Sequence, residues 1–267
     1  MSNLAIVQVR MGSSRFPFKA MADFNGKPII QVLLTRMLGI FEATNIVVAI
    51  SDLDLDAELA KFIKRKFPVL VVQGSENNVF SRFHKALDAY QSSTGKTPQY
   101  FYRITGDNPL FMPEICKRME CDFDSSFEFV CNFLPPSFPD GLDLQKISVD
   151  HFRKLDTSEF SSLDFEHVTL KYLTDKSLAK RGNLRLPLNF SNHRLTVDYD
   201  FDLSYLNAMS LKIGKAPEKI SLSDTIEFLA LKANKSPTKR PKVIKYESIG
   251  NLRVDYNVEA DRLFDVF

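Results

Sequence analysis

The chain has 267 residues, 44% of them hydrophobic, with 35 Lys and Arg against 33 Asp and Glu for a net charge of +2. That near-balance excludes a general nucleic-acid binder, whose affinity rests on excess positive charge, and the hydrophobic share excludes wholesale disorder. No stretch approaches the roughly 18 uninterrupted apolar residues of a membrane span, and the N-terminus lacks a signal-peptide pattern, so a soluble cytoplasmic protein with no membrane partner is expected.

The first predicted strand, LAIVQV (4–9), runs into the loop RMGSSRFPFK (10–19). Arg10, Ser13, Ser14, Arg15 and Lys19 surround Gly12 there. Glycine permits close backbone approach, and successive amides in such a turn form an anion-binding concavity. Arginine adds bidentate contacts to phosphate oxygens and lysine a point charge. The spacing is neither GxxxxGK[ST] nor GxGxxG. The loop reads as a seat for a phosphate-bearing ligand or, more blandly, as a solvated basic loop.

A helix over 28–41 follows, with Pro28 suited to its first turn. The strand NIVVAI (45–50) leads into SDLDLD, then a helix over 56–67 with Asp56 as its N-cap. Strand VLVVQ (69–73) leads into GSENN, then a helix over 78–91 capped by Asn77. Strand YFYRI (100–104) ends in TGDNP. These strands carry continuous apolar runs, the mark of burial on both faces. Strand–helix–strand repetition predicts a doubly wound parallel sheet with right-handed crossovers, and in such sheets ligands sit at the carboxyl ends of the strands. Four loops thus converge on one edge.

In that edge Asp107 follows Gly106 and precedes Asn108-Pro109. A lone carboxylate at a strand end suits Mg²⁺, which often takes one or two carboxylates plus phosphate oxygens. The alternative is an Asp that caps the following turn. The Pro- and Gly-broken stretch NFLPPSFPDGLD (132–143) is a loop of a length that is usually functional. A strand comes next, then helices near 148–156 and 164–174 and a strand-like run HRLTVD (193–198) ending at Asp198. On the residues alone Asp198 reads equally as a site carboxylate or a bystander. Asp200 and Asp202 fit the start of a helix near 202–213, where acids favour the dipole, and another helix covers 222–233.

The polar, basic segment 234–247 reads as a linker, so the chain divides into a domain over 1–233 and a linker with C-terminal appendage over 234–267. His84 reads as a surface or packing residue, and His151 and His193 have no supporting context. No Ser-His-Asp or Cys-His arrangement is evident. Cys116, Cys121 and Cys131 match no zinc spacing and read as ordinary thiols in a reducing compartment.

Taken in order, AIVQVRMGSSRFPFK, GSENNVFSRF, RITGDNPL, FPDGLDLQ, EHVT and RLTVDY resemble the motifs of cytidylyltransferases of the spore-coat polysaccharide type. These are relatives of the acylneuraminate and 3-deoxy-manno-octulosonate cytidylyltransferases, and the resemblance spans residues 4 to about 210. It implies a Rossmann-like, mostly parallel α/β sheet of the nucleotide-diphospho-sugar transferase type with a C-terminal extension. It further implies a Mg²⁺-dependent transfer of CMP from CTP to a 2-keto sugar acid, such as a nonulosonic or octulosonic acid, with release of pyrophosphate. Surface polysaccharide or glycan biosynthesis would be the setting, and a homodimer the assembly.

By position, the resemblance places Gln8, Arg10, Gly12, Ser13, Ser14, Arg15 and Lys19 against the nucleotide. Gly74, Ser75, Asn78 and Arg82 from the second motif, and Thr105 and Gly106 from the third, join them. Arg15, Lys19 and Asp107 would serve catalysis, Asp107 and Asp198 a metal, and Asp140, Asp143, Glu166 and His167 the sugar. The chain departs from the usual first motif, which reads closer to RLPGK: here Phe16 and Phe18 flank Pro17. Phe18 in place of that glycine is expected to stiffen the loop and narrow the triphosphate path. Asn78 stands where an acidic residue is common. The alternatives are another nucleotide, a non-sugar anionic acceptor, or a non-catalytic nucleotide-binding subunit of the same fold.

Overall fold

The computed structural model describes residues 3–233 and 262–265. The strands are β1 (Leu4–Val9), β2 (Ile46–Ser51), β3 (Leu70–Gly74), β4 (Tyr100–Thr105), β5 (Phe129–Cys131), β6 (Gln145–Ser148), β7 (Arg181–Arg185) and β8 (Arg262–Asp265). They form one sheet in the order β3-β2-β1-β4-β6-β5-β7-β8. β1 lies parallel between β2 and β4, and β2 pairs in parallel with β3. β6 runs antiparallel to β4 and β5, after which β5, β7 and β8 are again parallel. The sheet is therefore mixed and mostly parallel, as expected. The expected linker over 234–247 lies outside the described residues.

The period of two along each strand decides which core a side chain enters. Ala5, Val7 and Val9 of β1, with Ile46, Val48 and Ile50 of β2, are buried on one face. That face is covered by α1 (Ile29–Met37), α2 (Ala57–Lys66), α4 (Pro113–Asp122), α8 (Asp200–Ile213) and α9 (Leu222–Ala233), which supply Leu33, Ile63, Met119, Leu206 and Leu229. Leu4, Ile6, Val47 and Ala49 enter the opposite core. There they meet α3 (Val79–Thr94), α5 (Val149–Arg153) and α7 (Leu170–Thr174) through Phe83, Phe152 and Tyr172. Much of the phenylalanine content packs here, with Phe80 and Phe101 within 4.7 Å and 5.0 Å of the Phe152 ring. His84 stacks on Phe152 at 4.9 Å, and burial lowers its pKa, so it is a packing residue. His151 is held between the Tyr172 hydroxyl and the Leu178 carbonyl, each at 2.9 Å.

Several local expectations are corrected. Asn78, not Asn77, caps α3 by accepting from the Ser81 amide at 2.8 Å. Asp56 makes no cap bond to α2; it accepts instead from the Met11 amide at 2.5 Å and from the Ser51 hydroxyl, and so ties two strand-end loops together. The single helix expected over 164–174 is split into α6 (Ser162–His167) and α7 by Val168, whose φ is +60° and ψ −49°. The Thr169 amide bonds back to the His167 carbonyl across it at 2.5 Å, a γ-turn. For a β-branched residue this conformation costs about 1–3 kcal/mol.

The run 193–198 is not a strand. It makes one parallel bridge, Asp140 to Arg194, and otherwise threads between two loops. The Asp140 amide bonds the His193 carbonyl at 3.0 Å, the Leu195 amide the Asp140 carbonyl at 2.6 Å, and the Val197 amide the Asp107 carbonyl at 2.9 Å. Gly141 permits this lacing: its φ is +102°, and a Cβ there would lie 2.3 Å from the Thr196 nitrogen. Backbone cannot yield as a side chain can, so Gly141→Ala is expected to lower stability by about 3 kcal/mol. Urea denaturation measures it; a loss under about 1 kcal/mol would show that the lacing is adjustable.

Candidate active site

The site begins with the loop after β1. The Met11 carbonyl accepts from the Ser13 amide at 2.9 Å and from the Phe18 amide at 3.1 Å, closing the loop on itself. The Ser13 hydroxyl accepts from the Phe16 amide at 3.2 Å, and the Phe16 ring packs against the core. Phe18 has φ +60° and ψ 17°, the left-handed region that favours glycine. This accounts for the glycine of the resembling motif. The Phe18 ring is 51% exposed and is not part of the cleft wall, so the substitution burdens the backbone and does not narrow the cleft.

The turn delivers Lys19 into a charge network. Its Nζ donates to Asp107 Oδ2 at 3.2 Å, Asp198 Oδ1 at 3.1 Å and the Val197 carbonyl at 2.8 Å. Arg15 reaches Asp198 Oδ1 at 3.0 Å. Arg194 donates to Asp140 Oδ2 at 3.0 Å, to Asp202 Oδ1 at 3.2 Å and to Asp198 Oδ2. Asp202 also accepts from the Asp198 and Tyr199 amides at 2.9 and 3.0 Å, which places it at the start of α8 as expected. Burial pushes the Asp198 carboxyl up, but Lys19 and Arg194 more than offset it and hold its pKa below the ordinary value. Burial likewise lowers the Arg194 pKa, and the three carboxylates overcome it, for a net rise.

Of these groups Arg15, Asp107, Asp140, Arg194 and Asp198 form one wall of a cleft of about 260 Å³ at the carboxyl ends of β1 and β4, and Lys19 is bonded to two of them. Gln8, Arg15, Thr105, Asp107, Asp140, Asp143, His167 and Asp198 all line it. The structure thus gathers residues from loops up to 190 positions apart in the chain, including both proposed metal carboxylates (Asp107 and Asp198) and three of the four sugar-side residues. Glu166 is exposed on α6 and lies off the wall. Gly106 sits under it, its amide bonded to the Gln8 carbonyl at 2.8 Å; a Cβ there would meet Val9 at 2.6 Å.

A second group gathers nearer β2 and β3. Arg10 pairs with Glu76 at 3.0 Å, and the same Glu76 lies 3.6 Å from where a Gly12 Cβ would stand. Gly74 leaves room for the Arg82 stem, 3.0 Å from its Cβ position. Arg82 is buried and donates to the Ala49 carbonyl at 3.3 Å; burial, then Arg10, lowers its pKa. Ser75 accepts from the Asn78 amide at 3.0 Å, so both residues also shape the turn. Ser14 is exposed.

Sequence reasoning missed Arg194 and Arg103, which lines the cleft from β4. The signal for the first was its spacing, four and eight residues before Asp198 and Asp202. For the second it was alternation: Arg103 and Thr105 share one face of β4. Cys116 and Cys131 are buried, and burial raises both thiol pKa values, that of Cys131 to about 12, as expected of inert thiols. Among the described residues no helix is long and apolar enough to cross a membrane.

Comparison with known proteins decides the family. A family model described as Cytidylyltransferase matches residues 4–131. The spore coat polysaccharide biosynthesis protein SpsF of Bacillus subtilis is 31% identical over 239 residues, covering 85% of this chain and 93% of its own. The chain belongs to the cytidylyltransferase family. This cytidylyltransferase is also similar to the 3-deoxy-manno-octulosonate cytidylyltransferase of Cytophaga hutchinsonii, 29% identical over 113 residues and 42% of each chain. Among solved structures, a cytidylyltransferase from Leptospira borgpetersenii superposes with a TM-score of 0.78 at 25% identity, over 88% of this chain and 96% of its own. A CMP:2-keto-3-deoxy-manno-octonic acid synthetase complexed with CTP shares the fold, with a TM-score of 0.55 at 14% identity over 79% of this chain and 98% of its own. The protein is therefore a nucleotidyltransferase with the expected Rossmann-like sheet.

Proposed function

We propose that this cytidylyltransferase transfers CMP from CTP to a 2-keto sugar acid, releasing pyrophosphate, in polysaccharide biosynthesis. The observation that carries the reading is the convergence of Arg15, Asp107 and Asp198 on one wall of the cleft, with Lys19 bonded to both carboxylates. Displacement at a phosphorus needs in-line positioning and neutralised charge more than a protein nucleophile, and this wall supplies both. The relatives named for 3-deoxy-manno-octulosonate support the acceptor class.

Among the described residues there is no cluster of three or more metal-ligating side chains. Two carboxylates that share one ammonium nevertheless fit Mg²⁺, which takes few protein ligands and completes its shell with phosphate oxygens and water. Asp107 and Asp198 would hold it, and when bound it would neutralise phosphate charge and acidify the attacking hydroxyl. Lys19, freed from the two carboxylates, would turn to the phosphates. Arg15, with its guanidinium 44% exposed at the rim, would meet the departing pyrophosphate.

The reading is tested by pyrophosphate release with CTP, ATP, GTP and UTP, each against a panel of 2-keto sugar acids. Release confined to CTP with a sugar acid is the expected result; release with another nucleotide, or without any acceptor, overturns it. Arg15→Ala is expected to lower kcat/KM by about 10²-fold, the usual consequence of removing one preorganised charge donor. The exposed Arg15–Asp198 pair is worth at most about 1 kcal/mol to the fold, so the variant's melting temperature should stay near wild type.

A further inference from the structure

We propose that Arg103 is the residue that grips the acceptor's carboxylate and so selects 2-keto acids over neutral sugars; this rests on the reading of the cleft as a CTP and sugar-acid site. Three observations point to it. First, Arg103 lines the cleft from a strand, and its guanidinium is fixed in plane by acceptors on three elements. Its Nε donates to Gln8 Oε1 at 2.9 Å, and its Nη1 to Gln145 Oε1 at 3.4 Å and Thr169 Oγ1 at 3.3 Å. A planar fork already held in place loses little freedom when it binds a carboxylate, whose geometry it matches.

Second, the strained turn at Val168 holds His167 and Thr169 in place on either side of it, and both line the cleft with Arg103. A β-branched residue at φ +60° is maintained against its own preference, and such strain concentrates where a ligand is clamped. Third, the carboxylates of the opposite wall already have cationic partners: Lys19 for Asp107, Lys19, Arg15 and Arg194 for Asp198, and Arg194 for Asp140. Arg103 brings its positive charge beside His167, where it adds to burial in lowering the imidazole pKa against the opposing pull of Glu166.

The chemistry of the acceptor makes a grip at Arg103 useful. In the ring form of a 2-keto sugar acid the carboxylate and the anomeric hydroxyl share one carbon. A grip on the carboxylate therefore also aims the nucleophile, which a neutral aldose could not exploit.

The test compares wild type, Arg103→Met and Arg103→Lys, with 3-deoxy-manno-octulosonate and N-acetylneuraminate as acceptors, each also supplied as its carboxamide. Thermal melting and the KM for CTP report on the fold and the nucleotide side. The expected result is a KM for the acids raised about 10- to 100-fold in Arg103→Met, the range for losing a charge-assisted pair. The lysine variant should recover part of that loss. The KM for CTP should stay within about twofold, and the preference for acid over carboxamide should collapse. Equal losses on acid and carboxamide, or a raised KM for CTP, would make Arg103 a structural residue and overturn the proposal while leaving the reaction standing. If the wild-type protein uses neither acid with CTP, the functional reading itself falls, and this assignment with it.

Discussion

Asp107→Asn is expected to lower kcat by about 10³-fold while leaving the melting temperature within a few degrees of wild type. The two halves of that expectation have separate physical grounds. The fold uses the Asp107 main chain: its carbonyl receives the Val197 amide at 2.9 Å and the Thr196 hydroxyl at 3.3 Å, and both survive the substitution. The side chain is 32% exposed and its partner is Lys19, whose other bonds to Asp198 and the Val197 carbonyl remain. In the proposed reaction the same carboxylate holds a divalent ion against the phosphates, and loss of such a preorganised charge removes several kcal/mol of transition-state stabilisation. Steady-state kinetics across a Mg²⁺ titration, with a melting curve, checks both halves. Wild-type turnover at saturating Mg²⁺ would remove Asp107 from metal binding.

A structural effect as large as that at Gly141 is expected at Arg194. It serves three carboxylates, Asp140, Asp198 and Asp202, and its side chain is only 13% exposed. Arg194→Met leaves those charges facing one another without it. Breaking a buried ion pair destabilises by about 3–5 kcal/mol, and the residual exposure here argues for the lower end, or a melting temperature about 6–12 °C lower. The pH dependence has a definite sign. The Asp198 carboxyl is held below its ordinary pKa by Lys19 and Arg194 against burial, so its pairing adds stability above the unfolded-state pKa of about 4. That stability is lost as pH falls through the lower folded value. The gap between wild type and Arg194→Met should therefore be widest near neutral pH and narrow below about pH 4, measured by chemical denaturation. A constant gap would show that the arginine acts through packing of its stem.

How much of this was legible follows from the kind of signal each element carries. Strands β1, β2 and β4 stand out because both of their faces are largely buried, which writes continuous apolar runs into the chain, whereas β3, at the sheet edge, carries such a run although only Val72 in it is buried. β7 does not, because Arg-Gly-Asn-Leu-Arg becomes a strand through its partners β5 and β8. The run 193–198 misled in the opposite way: Leu195 and Val197 are fully buried, but by loops and helices, so their alternation imitates a strand. Within the site, the loop ends that carry Arg15, Lys19, Asp107 and Asp198 were readable from chemistry at strand ends. Their mutual contacts were not, since Lys19 and Asp198 lie 179 residues apart and meet only through the 193–198 lacing. Asp56 was taken for a helix cap because a cap and a loop tether have the same local sequence.

Phe18 shows a substitution whose effect differs from its appearance. A phenylalanine inside a phosphate loop suggests obstruction, whereas the ring is largely exposed and the burden is a left-handed backbone. Glycine would relieve about 1–2 kcal/mol of that burden but return 0.5–1 kcal/mol as unfolded-state freedom, so the net change is about 1 kcal/mol or less. The loop is therefore held by its other ties, the Met11 carbonyl and the Asp56 carboxylate.

The central claim is that the cleft joins the α-phosphate of CTP to the anomeric oxygen of a sugar acid. The most direct measurement is ³¹P NMR of the reaction of the protein with CTP, Mg²⁺ and a 2-keto sugar acid labelled with ¹⁸O at the anomeric hydroxyl. The account predicts one pyrophosphate for each new phosphodiester, with the isotope-shifted resonance of the label retained in that diester. CTP breakdown to CDP or CMP with no labelled diester would contradict it.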